Sequence, residues 1–323
     1  MSWIYIALAA HFLFALVFVL DKMILTHPVK RPLVYAFYPS FLSIAVVVLI
    51  PFVNFQILTL QSTILALSAG ILFSWSLFFF YSALRNGEAS RIVPFIGAST
   101  ALATLFFSYL TGTESLSGHH WVAFVFLVTG SYIIVGGYRN GPWSPRVMGA
   151  VIMAAGMSGL SFTLVKIVYE STNFASGFIW ARFGSILFSL ILLSRVSWRR
   201  DIFQTTAALN RNSIGLLALN KLSGGAGIIL QNYAVALGSV VLVNALQSTQ
   251  YLFILLLAVF LSIKFPHTLT EEIGKLAIAK KVVAIAIIGI GLVIAVVPPP
   301  KLRETVREVL FLRYTWSAEK IGP

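Results

Sequence analysis

Five ionisable residues stand inside otherwise apolar stretches of this chain: Asp21, Lys22, Lys166, Arg182 and Lys221. A charge withdrawn from water costs several kcal/mol unless it is paired, so each needs a reason. Four cations against one acid favour attraction of an anionic or zwitterionic group. Asp21 is the candidate for proton coupling; its bland reading is a helix-end acid satisfied by water or headgroups. Lys22 and Lys166 either flank a central cavity or extend their long stems to the nearest polar layer. Lys221 lies deepest and is the leading candidate for substrate contact, with Arg182 next.

A second set is neutral. Asn244, Gln247 and Gln250 recur every third residue, and Tyr251 follows. Three amides on adjoining helical faces suit a wet cavity better than lipid. Gln231, Asn232 and Trp75 are candidates for the facing wall, the ring for stacking against a metabolite. Their structural alternative is hydrogen bonding and packing between helices.

Other chemistries lack their parts. The chain has no cysteine, which removes thiolate catalysis, thiolate metal sites and disulfides. None of its five histidines lies in a His-Glu-x-x-His helix. A carboxylate dyad is missing, because Asp21 is the one acid well inside an apolar stretch. The reading is therefore non-enzymatic, with no cofactor and no metal.

The elements that must position these residues are membrane spans. Hydrophobic residues make up 59% of the 323 and charged residues 10%, whereas a soluble chain carries roughly 25% charged residues. The net charge of +13 is spread between apolar stretches rather than gathered on one soluble face, which argues against a nucleic-acid partner. At about 20 residues per crossing, ten spans are expected. They are Trp3–Thr26, Leu33–Val53, Gln61–Leu84, Ile92–Thr111, His120–Tyr138, Val147–Tyr169, Ser176–Val196, Ser213–Leu237, Val240–Ile263 and Leu276–Val297. Residues 299–323 read as an amphipathic surface helix, with Val306, Leu310 and Tyr314 on one face.

Fourteen of the 23 lysines and arginines lie in or beside the connections after spans one, three, five, seven and nine; the even-numbered connections have none. The positive-inside rule then puts the odd connections in the cytoplasm and both termini outside. The chain also repeats itself: Phe18–Lys22 aligns with Phe162–Lys166, and Tyr35–Tyr38 with Phe178–Ala181. An odd number of spans per copy inverts the second copy. The expected architecture is all-α, with residues 1–140 and 141–298 as two inverted five-helix repeats. Such repeats commonly enclose a substrate site near the midplane of alternating-access carriers.

The tract Tyr81-Ser82-Ala83-Leu84-Arg85-Asn86-Gly87-Glu88-Ala89-Ser90 running into Pro94, Glu114 past span four, Gly118 and Gly130, and Lys22 late in span one resemble the drug/metabolite transporter superfamily, in particular its EamA-type members. In the second half, Lys264-Phe265 stands where the pattern has an acid. The resemblance implies a multi-pass inner or plasma membrane transporter for a small molecule, working as a monomer or homodimer among membrane lipids. The sequence reading expects a small polar substrate, anionic or zwitterionic. A flippase for a phosphate-bearing lipid-linked sugar is the alternative within transport, and a membrane scaffold or receptor the alternative outside it.

Overall fold

Helices form wherever the apolar stretches lie, because a backbone among apolar side chains must satisfy its own hydrogen bonds. The computed structural model describes residues 2–24, 31–86, 89–135, 144–207, 214–264 and 275–296. In chain order the helices are α1 (Ser2–Ile24), α2 (Pro32–Leu42), α3 (Leu60–Asn86), α4 (Ala89–Thr111), α5 (Gly118–Val135), α6 (Pro145–Ser171), α7 (Phe174–Ser194), α8 (Val196–Ala207), α9 (Ile214–Leu237), α10 (Val240–Ala245), α11 (Ser248–Lys264) and α12 (Lys275–Val296). No strand occurs among the described residues. Among them, six segments are long and apolar enough to cross a membrane: 2–20, 32–52, 60–86, 92–111, 145–171 and 174–194. The protein is a helical membrane protein. The expected surface helix of residues 299–323 and the side chains of Asp21 and Lys22 lie outside what is described.

Many interior positions are small residues, and many large apolar ones face outward. Ala7, Ala66, Ala69, Ala101, Ala123 and Ala154 are buried, while Val48, Phe106, Ile152 and Leu222 are exposed. Lipid removes the penalty on an apolar surface, and small residues let backbones approach. The closest approach is between α3 and α7. A Cβ on Gly70 would collide with the carbonyl oxygen of Ala181, and one on Gly184 with that of Leu67. Gly159 packs on Ala103 and Thr104, and Gly227 on the Phe14 ring, whereas Gly156 and Gly225 face open space.

Three features depart from a simple series of straight spans. The second span is helical to Leu42 and then winds as a tighter 3₁₀ helix from Ser43 to Phe52. Pro39 and Pro51 each remove a backbone donor along it. The ninth span is interrupted between α10 and α11, at Leu246 and Gln247. The seventh connection holds an unexpected helix, α8, whose Ile202 is buried and whose Phe203 is exposed. Asp201 of α8 receives Arg31 at the start of α2.

Packing interlocks the two halves of the chain. α3 lies along α6 and α1 along α9, and each pair becomes the other on exchanging the halves. α4 on α6 is likewise matched by α1 on α11, and α5 packs on its counterpart α12. The match is incomplete: α7 packs on α3, whereas α2, which holds the corresponding place in the sequence, packs chiefly on α3 and α7.

Candidate functional site

Arg182 sits in the first half of α7, a helix capped by Asn173, whose side chain accepts the Ser176 N–H at 2.8 Å. The glycine crossing with α3 fixes the rotation of α7 and turns Arg182 inward. The residue is 8% exposed. Its guanidinium carbon lies 5.3 Å from the centres of both the Phe73 and Phe178 rings, an arrangement in which two ring faces stabilise the cation. Among the described residues no carboxylate lies within ion-pairing distance of it, and its Nε has no hydrogen-bond partner. A desolvated cation without an anion is costly.

Arg182 lines a cavity of about 10 Å³ together with Phe73, Ser161, Phe162 and Asn232, close to the space that one water molecule needs. The neutral polar groups around it are engaged. Tyr169 OH donates to Asn232 Oδ1 at 2.9 Å, Asn232 Nδ2 donates to the Ile228 carbonyl at 2.9 Å, and Ser161 OH donates to the Ala69 carbonyl at 2.7 Å. The cavity thus joins α3, α6, α7 and α9, one helix from the first half and three from the second.

A polar seam runs beside it, where α10 meets α11. Asn244 Nδ2 donates to Thr104 Oγ1 at 3.1 Å, and Gln231 Nε2 donates to Asn244 Oδ1 at 3.4 Å. Tyr251 OH donates to the Val93 carbonyl at 2.8 Å. Gln250 is buried, and Gln247 is half-buried against Gly97. Through the break, Gln247, Thr249 and Gln250 each bond to a carbonyl three residues back. Three residues per turn bring positions three apart onto one face, so the interruption itself draws Asn244, Gln247 and Gln250 together. His11 joins the seam through an Nε2 contact of 3.1 Å to the Val243 carbonyl.

Other expected site residues lie elsewhere. Lys221, the leading candidate from sequence, is exposed on α9; the inward position beside it belongs to Asn220, which donates to the Val17 carbonyl at 3.0 Å. The reason is rotational: the outward stripe of α9 carries Leu222, Ile229, Tyr233 and Leu237, and Lys221 flanks it. Trp75 is half-buried in an aromatic cluster with Phe78, Phe79 and Phe188, apart from the Arg182 cavity. Lys166 is buried but engaged: its Nζ donates to the Gly238 carbonyl at 3.0 Å and lies 3.5 Å from Glu170. Asp21 and Lys22 fall among the side chains not described.

Sequence reasoning passed over Tyr169, Ser161, Phe73 and Phe178, which read as ordinary span residues. It noted Glu114 without giving it a role. This carboxylate, in the connection from α4 to α5, reaches the start of α10. It accepts the Val241 N–H at 3.4 Å and a hydrogen bond from Ser239. Burial raises its pKa above the ordinary 4.5, against the opposing effects of those hydrogen bonds and of the nearby Lys166 charge.

No family model matches this chain, and no curated protein matches it. Its fold has a solved counterpart. A structure titled "Crystal structure of protein" is similar over 91% of this chain and 96% of that one, at a TM-score of 0.64 and 16% identity. At that identity the likeness concerns the fold alone.

Proposed function

We propose that this protein is a secondary transporter for a small polar organic molecule carrying negative charge, working by alternating access between two inverted five-helix repeats. The observation that carries the reading is Arg182: a buried cation with no carboxylate in ion-pairing distance among the described residues, opening on a cavity between helices of both halves. A scaffold has no use for so costly a group, whereas a carrier recovers the cost when an anion binds. The exchange of packing partners between the halves supports the repeat, and the interrupted ninth span supplies a backbone able to bend beside the site. The resemblance to EamA-type transporters agrees with this reading, which includes placement in the inner or plasma membrane with the basic connections inside. Arg182 takes the central role that sequence alone assigns to Lys221.

The test is a flux panel in proteoliposomes comparing amino acids, organic anions, sugar phosphates and cationic dyes. Wild type, Arg182→Met and Lys221→Ala are measured side by side. Saturable anion or amino-acid flux that falls at least about tenfold in Arg182→Met and persists in Lys221→Ala is expected. Robust dye efflux indifferent to Arg182 overturns the reading.

A further inference from the structure

The polar groups of the Arg182 cavity are unequally available, and that inequality selects among anions. Arg182 has an uncommitted guanidinium N–H, because Nε lacks a partner. Its neighbours have spent their hydrogens: the Ser161 hydroxyl on Ala69, the Tyr169 hydroxyl on Asn232, and one amide hydrogen of Asn232 on Ile228. One planar cation with few other donors matches a carboxylate, whose two oxygens accept the guanidinium fork. A phosphate dianion needs more donors than the cavity retains. A zwitterion also needs a counter-charge for its ammonium group; Ser161 and Asn232 offer neutral oxygens, and no carboxylate among the described residues lies within ion-pairing distance of the guanidinium.

The remaining wall is apolar. Phe73 and Phe162 meet edge to face with centroids 6.1 Å apart, and Ala69, Val165 and Ala181 complete it. A hydroxylated sugar would strand its hydroxyls there, while an apolar body would not.

We infer that Arg182, Asn232 and the Phe73–Phe162 wall form a binding site for a monocarboxylate with an apolar body, as opposed to an amino acid or a sugar phosphate. This rests on the transport reading for its site and narrows the ligand class within it. The cavity as it stands has room for about one water molecule, so a ligand of this size requires Phe73 and Phe162 to move apart.

The absence of cysteine from the chain allows a direct test on the full-length protein in lipid nanodiscs. Ser161→Cys places one thiol on the cavity wall, and its modification by N-ethylmaleimide is timed with phenylacetate, phenylalanine, phenyl phosphate or benzylamine present. Phenylacetate is expected to slow labelling at least about fivefold and the other three by less than twofold. A melting curve of the unsubstituted protein supplies the second readout, with stabilisation by phenylacetate lost in Arg182→Met and partly kept in Arg182→Lys. Equal or better protection by phenylalanine or phenyl phosphate overturns the monocarboxylate assignment and leaves transport standing. If none of the four protects while the flux panel is positive, the ligand site is not this cavity and the inference falls alone. If both experiments are negative, the transport reading falls with it.

Discussion

Tyr169, Asn232 and Glu114 show how much of the interior chemistry rests on single contacts. Tyr169→Phe removes the donor to Asn232 and leaves its amide oxygen without that partner. It is expected to lower stability by about 1 kcal/mol, read as a reduced thermal midpoint in detergent. Glu114 gives a pH signature. Because burial raises its folded pKa above 4.5, the folded state holds this proton more tightly than the unfolded state. Stability from this group is therefore fully present below the unfolded pKa and is lost as pH rises through the folded one. The thermal midpoint of wild type is expected to fall over that window more than that of Glu114→Gln. Identical pH profiles for the two proteins would show that the acid is not buried against α10.

At the scale of elements, the α3–α7 crossing controls the site. Gly70 and Gly184 bring two backbones into contact, and Arg182 lies two residues before the second glycine. Gly184→Ala must push α7 off α3, and overpacking of this kind costs about 1–3 kcal/mol. It is expected to lower the thermal midpoint and weaken anion binding together. Gly156→Ala, where a methyl group meets nothing within 4 Å, is expected to be neutral or slightly stabilising, since alanine favours helix by up to about 1 kcal/mol over glycine. Comparable losses in both variants would remove the crossing as the positioning element. The junction of α10 and α11 is the second controlling element, because its tight winding gathers the amides and interrupts the one helix that packs its counterpart α4 through the polar seam.

Across the whole molecule, charge and packing symmetry point in different directions. Charge is one-sided along the chain: the basic residues fall in or beside the odd-numbered connections, the seventh of which carries α8, with Arg195 stacked over Trp198 at 4.8 Å. Packing is nearly two-fold, with α2 as the main exception. The charge asymmetry sets orientation. Ser115→Cys, in the connection after α4, is expected to react with an impermeant maleimide on intact cells. Gln204→Cys, on α8, is expected to react only after permeabilisation. The reverse pattern would place the termini inside.

The run of residues along the chain determined where helices form, because apolar stretches of this length have one stable conformation in lipid. It also marked Arg182 and the amides Asn244, Gln247 and Gln250 as positions where polarity is expensive. Rotation about each helix axis was another matter. Arg182 and Lys221 are both cations within apolar helices, yet the glycine crossing turns one inward, while the bulky stripe of α9 carries the other to the surface. Periodicity within one helix cannot distinguish these outcomes when nearly every position is apolar, since the inward face is then set by contact with other helices. Glu114 makes the same point from a connection: burial raises its pKa against the opposing hydrogen bonds of Ser239 and Val241, more than a hundred residues along the chain, and only the folded arrangement brings them together.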